Sequence, residues 1–286
     1  MGTYVVTGSA SGMGRAAAER LYAAGHSVIG VDLRNAEVIA DLSTDAGRAT
    51  AVQRVLELCG GVLDGAVLAA GLGPIPGRDR LIAEVNYFGV TDLLTALLPA
   101  FARAERAKIV VVSSNSTTVT PLVPRRAVRA LLDGDIEQAM RAVRMFGGRS
   151  APMIYAASKI AVARWVRRNA VTAQWAGVGI RLNALAPGAV MTPLLEEQLA
   201  DPTEAKAITT FPVPVGGFGD PGQLAEWMVF MLSDTADFLC GSVIFVDGGS
   251  DAYFRPDSWP ARLPAAMLPR YTARFLGYRR ARRRFS

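Results

Sequence analysis

Short, nearly continuous apolar runs alternate along this chain with longer segments of helical character, and glycine, proline or small polar residues mark the changes. Runs that are apolar at every position belong to strands covered on both faces, which is the condition of a parallel sheet. Parallel strands cannot be joined by tight turns, so each needs a crossover, and the helical segments supply it. The pattern predicts an α/β fold: one doubly wound domain, with a seven-stranded parallel sheet and helices on both faces. Strands are expected at 3–7, 28–32, 37–40, 63–70, 109–113, 180–186 and 243–246, and helices at 14–24, 46–58, 84–102, 155–175 and 222–232. Residues 115–150 break the rhythm. A length of 286 residues with 51% hydrophobic content suits one large core. No run of apolar residues is long enough to predict a membrane span.

The first strand-to-helix turn reads Thr7-Gly8-Ser9-Ala10-Ser11-Gly12-Met13-Gly14. Its glycines allow the backbone around Gly8, Ser11, Gly12, Met13 and Gly14 to approach a pyrophosphate at a helix N-terminus. A tight turn with no ligand would use the same residues, but the strand–loop–helix context favours the dinucleotide site. Asp32 closes the second strand 18 residues after Gly14, with Leu33 beside it. A carboxylate there accepts hydrogen bonds from ribose hydroxyls and repels a 2′-phosphate, so the expected cofactor is NAD rather than NADP. Arg15 and Arg34 lie nearby and would soften that preference.

Tyr155 and Lys159 are four residues apart on an expected helix, so they share a face at about 5–6 Å between Cβ atoms. A neighbouring ammonium favours phenolate, which would make Tyr155 a better proton shuttle at neutral pH. The same spacing also describes an ordinary surface helix. His26 is the sole histidine and follows a glycine in a turn, where a structural role is expected. That solitude excludes Ser-His-Asp hydrolysis and histidine-rich metal sites, and no metal is expected. Cys59 and Cys240 are isolated, which fits a reducing cytosol. The N-terminus enters a strand directly, so no leader peptide is expected and the location is read as cytoplasmic.

Taken in order, these stretches resemble the short-chain dehydrogenase/reductase family over roughly residues 1–250. The resemblance rests on Thr7–Gly14, which matches the family's TGxxxGxG loop, Leu68-Ala69-Ala70-Gly71 in place of the family's NNAG, Asn86 in a long helix, Ser113-Ser114 after a strand, Tyr155-x-x-x-Lys159, and Pro187-Gly188-Ala189-Val190-Met191-Thr192. The segments 25–44, Ala70-Gly71-Leu72-Gly73-Pro74 and Asp247-Gly248-Gly249-Ser250-Asp251-Ala252 are similar to the bacterial 3α-hydroxysteroid dehydrogenase/carbonyl reductase subgroup. That subgroup also carries a long insertion, and here 41 positions separate Ser114 from Tyr155. Two features depart from the family pattern: the lost NNAG asparagines and a basic tail.

The resemblance implies a Rossmann-type fold and hydride exchange between a nicotinamide and a secondary alcohol or ketone. It implies Tyr155 as general acid/base, Lys159 as ribose ligand lowering the Tyr155 pKa, and Ser114 orienting the substrate oxygen, with Ser113 as rival. Asn86 would hold a water beside Lys159. Asp41 and Leu42 would flank the adenine, and Thr192 would bind the carboxamide. Ala70, Gly71, Pro187, Gly188 and Val190 would complete the cofactor site. Met191 and Leu195 would meet an apolar substrate, a hydroxysteroid or xenobiotic carbonyl. The expected assembly is a homodimer or homotetramer.

The domain is expected over 1–254, with an insertion at 115–150 and a substrate lid at 193–220. The insertion contains two helical pieces, at 125–132 and 135–145, which either shape the pocket or alter the helix face used for association. The net charge of +6 comes from the tail: 255–286 holds nine Arg and one Asp, leaving 22 basic and 24 acidic residues in 1–254. Arg274, Arg279, Arg280, Arg282, Arg283 and Arg284 allow peripheral membrane contact, a nucleic-acid patch or a solvated end; no nucleic acid is expected as a partner. The alternatives to an enzyme are a non-catalytic NAD-binding regulator and a protein docked on a membrane surface.

Overall fold

The computed structural model describes residues 1–258 and 263–282. Seven strands form one sheet: β1 (Thr3–Thr7), β2 (Ser27–Asp32), β3 (Val38–Ile39), β4 (Gly65–Leu68), β5 (Lys108–Val112), β6 (Arg181–Pro187) and β7 (Val243–Val246). Their order is β3-β2-β1-β4-β5-β6-β7, and every pairing is parallel. The order reverses between β1 and β4, which opens a crevice at the carboxyl ends of the strands. Register brings those ends level: Thr7 lies opposite Leu68, Val112 opposite Leu185, and Pro187 opposite Val246.

The crossovers are α1 (Gly12–Ala23), α2 (Asp45–Leu58), α3 (Asp79–Ala83), α4 (Gly89–Arg103), the insertion helices α5 (Ser116–Val119), α6 (Arg125–Leu132) and α7 (Ile136–Arg144), then α8 (Ser150–Asn169). After β6 come α9 (Pro193–Ala200), α10 (Pro202–Thr209) and α11 (Pro221–Leu232). One face of the sheet packs on α1 and α11 through Ala17, Leu21, Leu224 and Met228. The other packs on α2, α4 and α8 through Val55, Leu94, Phe101, Ile154 and Val162. The run Asp79–Arg103 is long and apolar enough by composition to cross a membrane. Here Leu93, Leu94, Leu97 and Phe101 are buried in the core instead.

The insertion is part of that core. Ala127, Val128, Ala130 and Leu131 of α6, with Ala139 and Val143 of α7, join the same apolar cluster as α8. An Arg80–Glu137 ion pair ties α7 to α3.

Several boundaries differ from those expected. The helix expected at 155–175 runs from Ser150 to Asn169, because Pro152 sits in its first turn, where no amide bond is lost. The side chains of Asn169 and Thr172 then bond the last carbonyls, of Trp165 and Asn169, and end it. The strand expected at 63–70 pairs only over Gly65–Leu68. The helix expected at 84–102 begins with one π-helical turn, Glu84–Phe88, that holds Asn86. His26 is structural: its Nδ1 accepts from the Gly2 amide at 3.1 Å and its ring meets Tyr4 edge-on at 4.9 Å.

The chain divides into two compact units, Met1–Asp251 and Ala252–Ser286. Within the second, α12 (Ser250–Phe254) ends and α13 (Leu268–Arg282) stacks Tyr271 on Phe275 at 6.4 Å. Arg283 and Arg284, named above for the tail, lie outside the described residues.

Gly65 sits where β4 is tightest: a Cβ there would lie 2.3 Å from the Lys108 carbonyl oxygen and 2.8 Å from the Tyr4 ring. Gly65→Ala should lower stability by about 1–3 kcal/mol through overpacking. Urea unfolding reads this directly, and an unchanged midpoint would show that β4 and β5 can part at no cost.

Candidate active site

The loop from β1 to α1 is held by backbone contacts that no side chain larger than hydrogen would permit. Gly8 adopts φ +71° and donates its amide to Val31 at 2.9 Å. A Cβ on Gly8 would lie 2.8 Å from the Ala70 nitrogen, and one on Gly14 would lie 2.2 Å from the Gly8 carbonyl oxygen. The Thr7 hydroxyl accepts from the Ala70 amide at 3.1 Å, so the end of β4 is pinned to this loop. The result is a bare backbone cradle at the start of α1, with Ser11, Gly12 and Met13 around it.

Asp32 takes one hydrogen bond on each oxygen, from Ala10 N at 3.0 Å and Leu33 N at 2.7 Å. Each oxygen keeps a free lone pair. A cavity of about 400 Å³ opens beside it, lined by Ala10, Ser11, Asp32, Leu33, Arg34 and Asn35. The residues present fit a dinucleotide: glycine backbone for the pyrophosphate and an acceptor for ribose hydroxyls. Asp41 is exposed, whereas the Leu42 side chain is buried in the core.

The other end of the crevice is built on β5 and α8. Lys159 Nζ donates to the Val112 carbonyl at 3.0 Å, and Ser113 Oγ donates to the Lys159 carbonyl at 3.2 Å. Ser113 is thus turned into the α8 backbone. Ser114 faces the other way: its Oγ accepts from Ser116 N at 3.1 Å, and it stands close enough to the Tyr155 phenol to pull that group's pKa down. Lys159 Nζ lies 5.9 Å from the Tyr155 ring centre.

Burial dominates the electrostatics of the pair. It raises the Tyr155 pKa above its ordinary value, while the Ser114 hydrogen bond pulls the other way. It depresses the Lys159 ammonium to about 8. The sequence predicts that Lys159 holds the Tyr155 pKa down; the net shift is instead upward, because desolvation by burial outweighs the opposing effect of Ser114.

Asn86 is fully buried, and both ends of its amide are engaged with one residue. Oδ1 accepts from Leu72 N at 2.8 Å and Nδ2 donates to Leu72 O at 2.9 Å. The side chain therefore anchors the Gly71–Leu72 turn. A Cβ on Gly71 would come within 3.1 Å of Asn86 Oδ1 and 3.5 Å of Lys159 Nζ, so the glycine keeps that approach open.

Pro187 ends β6, and its carbonyl accepts from Asn115 N at 2.9 Å. Gly188 passes close to Asp247, and Val190 bridges to Gly219. Thr192 caps α9 by accepting from Leu195 N at 3.4 Å, while its methyl faces Gly12. Leu195 is buried and Met191 half-buried. Leu194 of α9 faces Gly73 across the crevice.

Asp247 was not singled out as a site residue. Its buried carboxylate accepts from Gly249 N at 3.0 Å, Asp251 N at 2.7 Å and Asn115 Nδ2 at 3.4 Å. The Asp-Gly-Gly sequence after a strand is the local signal for such a turn. Ser250 Oγ extends it by donating to Pro212 O at 2.8 Å, which ties the segment 193–220 to this turn.

Residues 3–123 match the family model for short chain dehydrogenase, and residues 136–251 match that for Enoyl-(Acyl carrier protein) reductase. The chain is 40% identical over 256 residues to a 3-alpha-hydroxysteroid dehydrogenase/carbonyl reductase of Comamonas testosteroni, covering 90% of this chain and 99% of that protein. The chain belongs to the short-chain dehydrogenase/reductase family. This short-chain dehydrogenase also superposes on the 3-alpha-hydroxysteroid dehydrogenase from Pseudomonas sp. B-0831, solved in complex with NADH, with a TM-score of 0.84. Identity there is 44%, over 90% of this chain and 100% of that one. A 3beta-hydroxysteroid dehydrogenase 1 of Eggerthella lenta is 31% identical, over 88% of this chain and 94% of that protein. The short-chain dehydrogenase acts on a CH–OH group, and its cofactor is a nicotinamide nucleotide.

Lys159 is held against its own solvation. A drop from 10.5 to about 8 corresponds to on the order of 3 kcal/mol of stability withheld at neutral pH. The unfolded chain binds the extra proton, so stability is recovered as pH rises from about 8 toward 10.5. Lys159→Met should therefore unfold at higher urea than the parent at pH 7, with the gap closing by about pH 10.5. A gap that stays constant with pH would contradict the buried-ammonium description.

Proposed function

We propose that this chain is an NAD(H)-dependent oxidoreductase that interconverts a secondary alcohol and a ketone on a bulky apolar substrate. A 3α-hydroxysteroid or a xenobiotic carbonyl is the class favoured. The meeting of the Ser114 and Tyr155 hydroxyls beside Lys159, at the carboxyl end of β5, carries the reading. The similarity to hydroxysteroid dehydrogenases supports the substrate class. The similar proteins include both 3-alpha and 3beta enzymes, so the reading commits to the substrate class and to neither epimer.

Bound nicotinamide supplies the hydride exchange. Tyr155 Oη gives its proton to the carbonyl oxygen in reduction and takes it back in oxidation. A phenol whose pKa is raised by burial stays protonated at neutral pH, which suits donation in the reductive direction. Ser114 Oγ donates a second hydrogen bond to the same oxygen and fixes its position. Lys159 offers its remaining protons to ribose hydroxyls, and Asn86 keeps the Gly71–Leu72 turn clear of that approach. Thr192 binds the carboxamide, while Gly8, Gly12, Gly14, Ala70, Gly188 and Val190 line the cofactor. Met191, Leu194 and Leu195 exclude water from the substrate end.

The preference for NAD over NADP rests on Asp32, whose carboxylate would stand where a 2′-phosphate would go. A homodimer or homotetramer belongs to the same reading. The half-buried edge strand β7 and the exposed Trp227, Phe230 and Phe238 are the surface that supports it.

Tyr155→Phe should retain NADH binding, followed by fluorescence, and lose turnover by about 10²–10⁴-fold on a panel of hydroxysteroids and aromatic ketones. Turnover near the parent level would remove Tyr155 as proton donor. Asp32→Ala should lower the NAD/NADP ratio of kcat/KM by about tenfold, the worth of hydrogen bonds to a charged acceptor. An unmoved ratio would exclude the ribose contact.

A further inference from the structure

The insertion brings a second set of charges together, outside the crevice. Arg125 and Arg129 of α6 stand four residues apart, and so do Arg164 and Arg168 of α8. Helical spacing aligns each pair along one face. The two helices pack on each other, and the two rows line one cavity of about 320 Å³ with Leu132 and Asp133. Four guanidiniums thus share a pocket with one carboxylate. Among the described residues, none of the four forms a hydrogen bond or an ion pair.

This arrangement works against the fold that holds it. Like charges at this spacing repel. Arg129 and Arg168 sit in last turns, where the helix dipole offsets part of their charge. Arg125 opens α6, where a cation is disfavoured and where the first turn carries no acidic residue. Burial and the charges of Arg168 and Arg125 push the Arg164 pKa down. The compact body around it is close to neutral in sequence, with 22 basic and 24 acidic residues in 1–254, so the cluster is a local excess.

We propose that the α6–α8 cavity is a binding site for a small polyanion bearing two or more phosphoryl groups, held by Arg125, Arg129, Arg164 and Arg168. The planar forks of arginine match phosphoryl oxygens two at a time, which lysines would not. The cavity lies within the volume range of small-molecule sites and exceeds what a single inorganic ion would fill. The ligand class follows from charge: three net positive charges, with Asp133 as the one carboxylate in the lining, call for a multiply charged anion. Two of the arginines come from the insertion, so the site exists only because those residues were added between Ser114 and Tyr155.

The test uses the full chain saturated with NADH, which keeps phosphates out of the glycine loop. Inorganic tripolyphosphate is added at matched ionic strength and thermal unfolding is followed. An increase of about 3 °C or more is expected when the probe is well above its Kd. The double variant Arg125→Gln/Arg164→Gln should lose the shift and bind at least about tenfold more weakly in calorimetric titration. A parallel arm with ATP separates the sources: equal shifts assign recognition to the phosphoryl chain alone, and a larger shift with ATP assigns part of it to the nucleoside. No shift in the parent chain, or the same shift in the variant, overturns the proposal. The second outcome would place the anion on another basic surface, such as the tail.

Discussion

Two reciprocal hydrogen bonds between α8 and β5 fix the reacting end of this molecule. The Lys159 ammonium reaches the Val112 carbonyl, and the Ser113 hydroxyl reaches the Lys159 carbonyl. Together they lock one turn of a helix against the end of a strand. Ser114, the next residue along the chain, is thereby turned outward to Tyr155. The adjacent serines thus meet α8 differently, Ser113 at its backbone and Ser114 beside a side chain. The cofactor end depends on a comparable lock, the approach of Gly8 to Ala70.

The chemistry follows from burial more than from attraction between charges. Both the phenol and the ammonium are moved toward their neutral forms. The helix that carries them packs against the sheet on one side and the insertion on another, so its titratable groups are poorly solvated. A phenol so placed keeps its proton at neutral pH, as the proposed role of proton donor requires. The insertion contributes indirectly, by covering α8 with the apolar sides of α6 and α7.

Much of this was legible in the sequence because it is local. The spacing of Tyr155 and Lys159, the glycines of the first loop and the carboxylate after β2 each declare themselves within a few residues. The bounds of β1 and β7 are likewise those expected from their apolar runs. Other features are tertiary and left no local mark. Nothing around Asn86 shows that its amide will clasp Leu72, fourteen residues earlier. Nor does the Tyr-Lys spacing reveal that burial will push the Tyr155 pKa up. Register favours Ser114 over Ser113 as the residue facing the crevice, but that Ser113 bonds the Lys159 carbonyl is tertiary and has no local sign. The early start of α8 was hidden by Pro152, a residue that stops a helix in its interior and opens one in its first turn.

The π-helical turn at Glu84–Phe88 has an evolutionary corollary. Such a turn accommodates one residue more than the regular spiral, so everything beyond it is rotated by the angle of a single position. Exchange of one amino acid for another does not undo that rotation; loss of a codon does. The clasp on Leu72 therefore depends on the number of residues in this turn as well as on side-chain chemistry. A lineage that shed the additional residue would have to rebuild the neighbourhood of Lys159 from a different helical phase.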